Sequence, residues 1–182
     1  MRRHIGLLVA GVMLCAQSLL AQPAARKDLQ VFNDIAKTVN RYAYFTVFDD
    51  VRAEVSGGVV TLDGKVTMPY KRDDIAKRVA KVDGVTTVVN QIEVLPVSTW
   101  DEQLRYRIAR AIYGNPHFWN YGASANPSIH IVVERGRVTL TGVVQSDVDR
   151  MLARSLVDQS GVFSVTNHLQ TVAEARDALE QS

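Results

Sequence analysis

Apolar and polar residues alternate along this chain with two different periods, and the periods succeed one another in a fixed order. Between Leu29 and Asn40, Phe32, Ile35, Ala36 and Val39 fall on one side of a helix with 3.6 residues per turn. Val51, Ala53 and Val55 then alternate with Arg52 and Glu54, the two-residue period of a strand. Gly57-Gly58 follows and supplies the positive φ of a tight hairpin turn. The return strand places Val60, Leu62 and Gly64 inward, with Thr61 and Asp63 outward. A second helix is predicted from Pro69 or Lys71 to Val82, with Ile75, Val79 and Val82 inward and an end at Asp83-Gly84. Pro69 suits its first turn, where an N–H would have no partner within the helix. The β-branched run "VTTVVNQIEV" closes the series as a third strand.

The same series is written a second time. "SGGVVTLDGKV" at residues 56–66 lies over "ERGRVTLTGVV" at 134–144, 78 positions on. "IAKRVAKVDGVTTVVNQIEV" from Ile75 lies over "LARSLVDQSGVFSVTNHLQT" from Leu152, which pairs Gly84 with Gly161 and Asn90 with Asn167 at an offset of 77. "IAKTVNRY" from Ile35 lies over "IARAIYGN" from Ile108 at an offset of 73. The second copy therefore has about five extra residues before its first strand. Its one missing residue is expected between its second strand and second helix. Both changes fall in connections, where length varies freely.

Two copies are too few for a solenoid. The predicted class is α+β: two tandem small αββαβ domains, each a three-stranded mixed sheet with two helices on one face. The expected boundaries are 27–97 and 98–172, with "LPVST" as the linker and a polar tail at 173–182, a short helix or a frayed end.

The opening segment follows a different logic. "MRRHIGLLVAGVMLCAQSLLAQPAA" has two arginines, an apolar run from Ile5 to about Leu14, and then small and polar residues, the order of a secretory signal peptide. The apolar run is shorter than the roughly 20 residues of a membrane span. Residues 1–21 are taken as the signal, with cleavage expected after Ala21 and within Ser18–Ala25. Leu14 and Met13 before Cys15 do not form a lipobox, so Cys15 is taken as an apolar residue of the signal and not as a lipid anchor. Of 21 basic residues, Arg2 and Arg3 lie in this segment with no acid, which leaves 19 against 19 acidic residues. A formally neutral exported chain has no electrostatic footprint for nucleic acid. Its only cysteine also departs, so the fold must rest on burial without a disulfide.

Catalytic motifs are missing from the pattern. His117, His130 and His168 have no neighbours at metal-ligand spacing, and no nucleophile elbow, phosphate-binding loop or HExxH is present. His130 alternates with Ile129 and Ile131 and so points away from the core. Asp49-Asp50 and Asp73-Asp74 are adjacent in sequence, and adjacent carboxylates do not converge as an acid–base pair must. No metal, cofactor or catalytic residue is expected.

The paired "GVVTLDG" and "GRVTLTG" strands, the "GVTTVVNQI" and "GVFSVTNHL" segments, and the helices "IAKRVA" and "LARSLV" between them resemble the BON domain. That family occurs in osmotically inducible periplasmic proteins and in twin-domain outer-membrane lipoproteins. The resemblance implies an exported, non-enzymatic module of the bacterial envelope. It would bind phospholipid headgroups in membrane maintenance or osmotic stress, or act as a protein-binding, chaperone-like module for exported proteins. Gly58, Gly64, Gly84, Gly136, Gly142 and Gly161 are read as structural, with Gly64 and Gly142 marking close approach by another backbone or a helix. Asn90 and Asn167 are read as satisfying backbone groups at the third strand.

The copies differ in one informative place. Leu104, Ile108, Ala111 and Ile112 form the expected buried stripe of the second copy's first helix. Tyr106, Arg110 and Tyr113 are expected to project from nearly the opposite side, where the first copy has Asn33, Lys37 and Asn40. Trp119 follows in the longer loop. Amphipathic aromatics beside arginine suit an anionic phospholipid surface, and protein interfaces favour them too. Tyr106, Arg110, Tyr113 and Trp119 are the candidate lipid- or partner-binding residues, weighed against an incidental tyrosine face. Phe118 and Tyr121, aligned with Phe45 and Phe48, are expected in the core, and Trp100 packs at the helix start.

Overall fold

The computed structural model describes residues 27–123 and 127–180. The expected signal segment, with Cys15 and the expected cleavage zone, lies outside the described residues.

The first domain runs α1 (Asp28–Asn40), β1 (Asp50–Ser56), β2 (Val59–Val66), α2 (Pro69–Val79) and β3 (Thr87–Val94). The second repeats the order as α3 (Thr99–Tyr113), a short α4 (Trp119–Gly122), β4 (Ile129–Glu134), β5 (Arg137–Val144), α5 (Asp147–Val157) and β6 (Ser164–Thr171). A final helix, α6 (Val172–Glu180), completes the chain. Each sheet is mixed: β2 pairs antiparallel with β1 and parallel with β3, and β5 does the same with β4 and β6. The predicted α+β class with two tandem three-stranded domains is therefore the observed one.

Each domain closes on its own core. Val31, Ile35 and Val39 of α1 meet Val60, Leu62 and Val66 of β2 and Ile75 and Val79 of α2. Leu104, Ile108 and Ile112 of α3 meet Val138, Leu140 and Val144 of β5 and Ala153 and Val157 of α5. The buried residues of α2 and α5 correspond at an offset of 78, not 77, as do the helix starts Pro69 and Asp147. The missing residue of the second copy thus falls after α5, where three residues separate Val157 from Gly161 against four between Val79 and Gly84. A helix whose inward stripe must face the sheet cannot absorb a one-residue slip, whereas the following turn can. Similarly α2 ends at Val79, and Val82 packs half-buried from the turn beyond it.

Gly64 and Gly142 sit where an added Cβ would lie 2.1 Å from the Asp50 carbonyl oxygen and 1.8 Å from that of Ser128. The partner strand's backbone occupies the place of a side chain. Asn90 and Asn167 tie their strand to the preceding helix: each amide donates to a carbonyl there, Arg72 or Arg150, and each Oδ1 accepts the N–H two residues on. The tail is helical because Thr171 and Glu174 form a reciprocal capping box, each side chain accepting the other's backbone N–H.

The two domains also touch. Ile131 N–H donates to the Val47 carbonyl at 2.6 Å, Thr141 Oγ1 donates to Asp50 at 3.0 Å, and Lys65 pairs with Glu134. Phe48, from the loop before β1, packs on the second domain's core.

Candidate functional site

Helix α3 carries most of the chemistry that distinguishes the copies, and its burial differs from the expected stripe. Asp101, Leu104, Arg105, Ile108 and Ile112 are buried, while Ala111 is only half-buried. Arg105 enters the stripe because its guanidinium reaches past the core to donate to the Val133 carbonyl at 2.7 Å, on the outer edge of β4. Burial pushes its pKa down from the ordinary arginine value, while the nearby Asp101 and Glu102 oppose that shift.

The four candidate residues separate. Tyr106 and Arg110 are exposed as expected, though the Tyr106 ring meets Phe48 of the first domain edge-on with centroids 5.3 Å apart. Trp119 is exposed on α4. Tyr113 is different: it is half-buried against the core, and its hydroxyl donates to the Ile129 carbonyl. It stands one residue past Ile112 at the helix end, so its long side chain folds over the last turn onto the edge of β4. Burial pushes its pKa well above the ordinary phenol range. Tyr113 does not share a solvent face with Tyr106 and Arg110. Phe118 is fully buried and Tyr121 packs on the same core, as expected from their alignment.

A second aromatic–arginine cluster, not singled out in the sequence, forms at the hairpin end of the second domain. Trp100 lies over Gly161, where an added Cβ would be 2.6 Å from its ring, and is 53% exposed. Arg107, two turns along α3 from Trp100, places its guanidinium 5.9 Å from the indole centroid and donates to the Ser160 carbonyl at 3.1 Å. Phe163, 78% exposed, covers Gly136, where an added Cβ would be 2.5 Å from the ring. The exposed Arg135 and Arg137 stand on either side of Gly136. In the first domain the matched positions are Lys27, Asp34, Thr86, Gly57 and Val59, with no aromatic among them. Trp100 and Phe163 are 63 residues apart, and neither is adjacent to an arginine in sequence, so only the approach of α3 to the turn before β6 reveals the cluster.

Two polar clusters occupy equivalent junctions with opposite polarity. Lys71, the third residue of α2, donates to Asp49 at 2.7 Å, and that buried carboxylate also accepts from Thr46 and Thr67. Asp149, the third residue of α5, has its oxygens 2.5 Å from His117 Nε2 and 2.7 Å from Tyr121 Oη. Burial raises the Asp149 pKa, but hydrogen bonds from Tyr121 and His117 outweigh it and hold it below the usual carboxylate range. Burial, reinforced by Asp149, pushes the Tyr121 phenol up to about 12. In both domains the carboxylate takes donors that tie the helix start to the loop before the first strand, five on Asp49 and two on Asp149. Both clusters act as fastenings between elements.

His130, expected to turn from the core, lies on the outer face of β4 with its ring against Phe45 of the first domain, centroids 5.4 Å apart. Among the described residues no group of three or more His, Cys, Asp or Glu could hold a metal, and no helix is long and apolar enough to cross a membrane.

No curated protein matches the chain. Among solved structures, CdsD, a structural protein of the type III secretion system of Chlamydia trachomatis, aligns with 14% identity and a TM-score of 0.27 over 81% of this chain and 97% of its own. The C-terminal domain of the same protein aligns with 13% identity and a TM-score of 0.29 over 79% and 98%. The family model that matches is the BON domain, once over residues 33–96 and again over 101–173. With two αββαβ units matched in tandem, this chain belongs to the BON domain family.

Proposed function

We propose that the protein is a non-enzymatic, periplasmic envelope protein that binds anionic phospholipid headgroups peripherally, through the hairpin end of its second domain. The observation that carries this is the cluster of Trp100, Arg107 and Phe163, with Arg135 and Arg137 beside it. Two large exposed aromatic side chains next to three guanidinium groups combine shallow apolar insertion with phosphate pairing. A formally neutral exported chain gains little from long-range attraction, so adsorption depends on both contributions. Such attachment is weak and reversible. Tyr106, Arg110 and Trp119 stay solvent-facing on the same domain and form the competing surface, with Tyr113 serving the fold beneath them.

The test is flotation of the chain lacking residues 1–21 with vesicles of phosphatidylcholine alone or mixed with phosphatidylglycerol. Trp100→Ala combined with Phe163→Ser and Arg107→Gln is expected to lower binding to the anionic vesicles at least about tenfold. Tyr106→Asn with Arg110→Lys is expected to leave it within about twofold. The opposite pattern moves the site to the other face of α3, and no flotation of the parent chain with either vesicle refutes lipid binding.

A further inference from the structure

The edges of the two sheets are treated differently. Both hairpins turn on two residues with positive φ, Gly57-Gly58 and Arg135-Gly136, so the residues flanking each turn pair by hydrogen bonds and alternate residues face outward. β4 therefore directs the main-chain groups of Ile129, Ile131 and Val133 away from its sheet, and β1 does so with Val51, Ala53 and Val55. On β4 each of these residues is engaged: Tyr113 donates to Ile129, Val47 accepts from Ile131, and Arg105 donates to Val133. On β1, among the described residues, no hydrogen bond reaches the outward N–H or C=O of Val51, Ala53 or Val55. Phe32 stands where the second domain has Arg105, and a phenyl ring cannot cap a carbonyl.

The open edge borders a cavity of about 890 Å³ that Asp50–Ala53 help to line. Phe32, Ala36 and Val39 of α1 form one wall, and Thr141 and Val143 of the second domain lie across from them. We propose that the β1 edge is a second binding site, which takes an extended segment of another polypeptide as an added strand. Outward N–H and C=O groups recurring at every second residue are matched in spacing by an extended main chain. A phospholipid headgroup offers no such ladder. The apolar wall of α1 selects a segment with an apolar residue at alternate positions. Walled on both sides, the cavity fits one strand better than the edge of a second folded copy.

Amide hydrogen exchange of the chain lacking residues 1–21 tests this, with a capped nine-residue peptide of alternating valine and threonine as probe. The same peptide N-methylated throughout keeps its side chains but has no main-chain donors. Saturating unmethylated peptide is expected to slow exchange at Ala53 at least about tenfold, and the methylated peptide is expected to leave it unchanged. Phe32→Arg, which introduces the second domain's edge cap, is expected to weaken the peptide about tenfold. Ala53→Pro provides a second variant, read at the outward Val51 and Val55 amides and expected to lose their protection by the peptide, because proline is tolerated on an edge strand where its missing N–H faces outward. Circular dichroism checks that each variant is folded. Absence of protection in the parent chain, or equal binding of the methylated peptide, overturns the proposal. Protection that rises with protein concentration alone, together with a dimer in sedimentation, also overturns it by giving the edge to a second copy.

Discussion

Asp101 makes the sharpest test of how the second domain is held together. Its carboxylate is 1% exposed and accepts two backbone hydrogen bonds at 2.8 Å, from Arg135 and Gly136 at the β4–β5 turn. Arg135 is the only non-glycine residue with positive φ among those described, so this turn opposes an intrinsic preference that costs about 1–2 kcal/mol. A hydrogen bond to a charged group contributes about 1.5–3 kcal/mol, and two on one carboxylate add less than fully. Asp101→Ala should therefore destabilise the second domain by about 3–5 kcal/mol. Asp28 is the matched residue of the first domain, but it is exposed and accepts one bond, from Gly57 N–H at 3.1 Å. Asp28→Ala should stay within about 0.5 kcal/mol. Both tryptophans, Trp100 and Trp119, lie in the second domain, so urea denaturation followed by tryptophan fluorescence reports on that domain in the intact chain. The thermal midpoint should fall by more than about 10 °C, at about 4–8 °C per kcal/mol for a domain of this size. If Asp101→Ala costs under about 1 kcal/mol, or no more than Asp28→Ala, the buried carboxylate is not what fixes the turn.

Asp149 predicts an acid limb. Its folded pKa is depressed, so the stability it contributes is present above the unfolded value, about 3.9, and is lost as pH falls through the folded value. Asp149→Asn should flatten the pH dependence of the fluorescence-detected midpoint below about pH 4, and an unchanged slope would place the acid sensitivity elsewhere. Tyr113→Phe leaves the Ile129 carbonyl without its donor and should cost about 1–3 kcal/mol in the same denaturation assay, with flotation on anionic vesicles unaltered once folding is matched. Lost flotation in a stable Tyr113→Phe protein would return this residue to the lipid surface.

Much of the architecture was legible because it is written in local periods. Alternation at Val51–Val55, the 3.6-residue stripe of α1 and the glycine turns each depend on neighbours within a few residues, and their recurrence exposed the tandem domains. The capping box at Thr171 and Glu174 is equally local, yet the tail read from sequence as either a short helix or a frayed end, and the reciprocal bonds decide for the helix. Helical angle alone misplaced Tyr113 and left Arg105 unremarked, because a long side chain can bend away from the direction of its Cα and find a carbonyl on another element. The meeting of Trp100 with Gly161, the capping of β4 and the open edge of β1 are fixed by which elements lie side by side. Sequence period determines which face of each element is buried. Tertiary packing decides which main-chain groups are left without a partner, because that depends on residues brought together from distant parts of the chain.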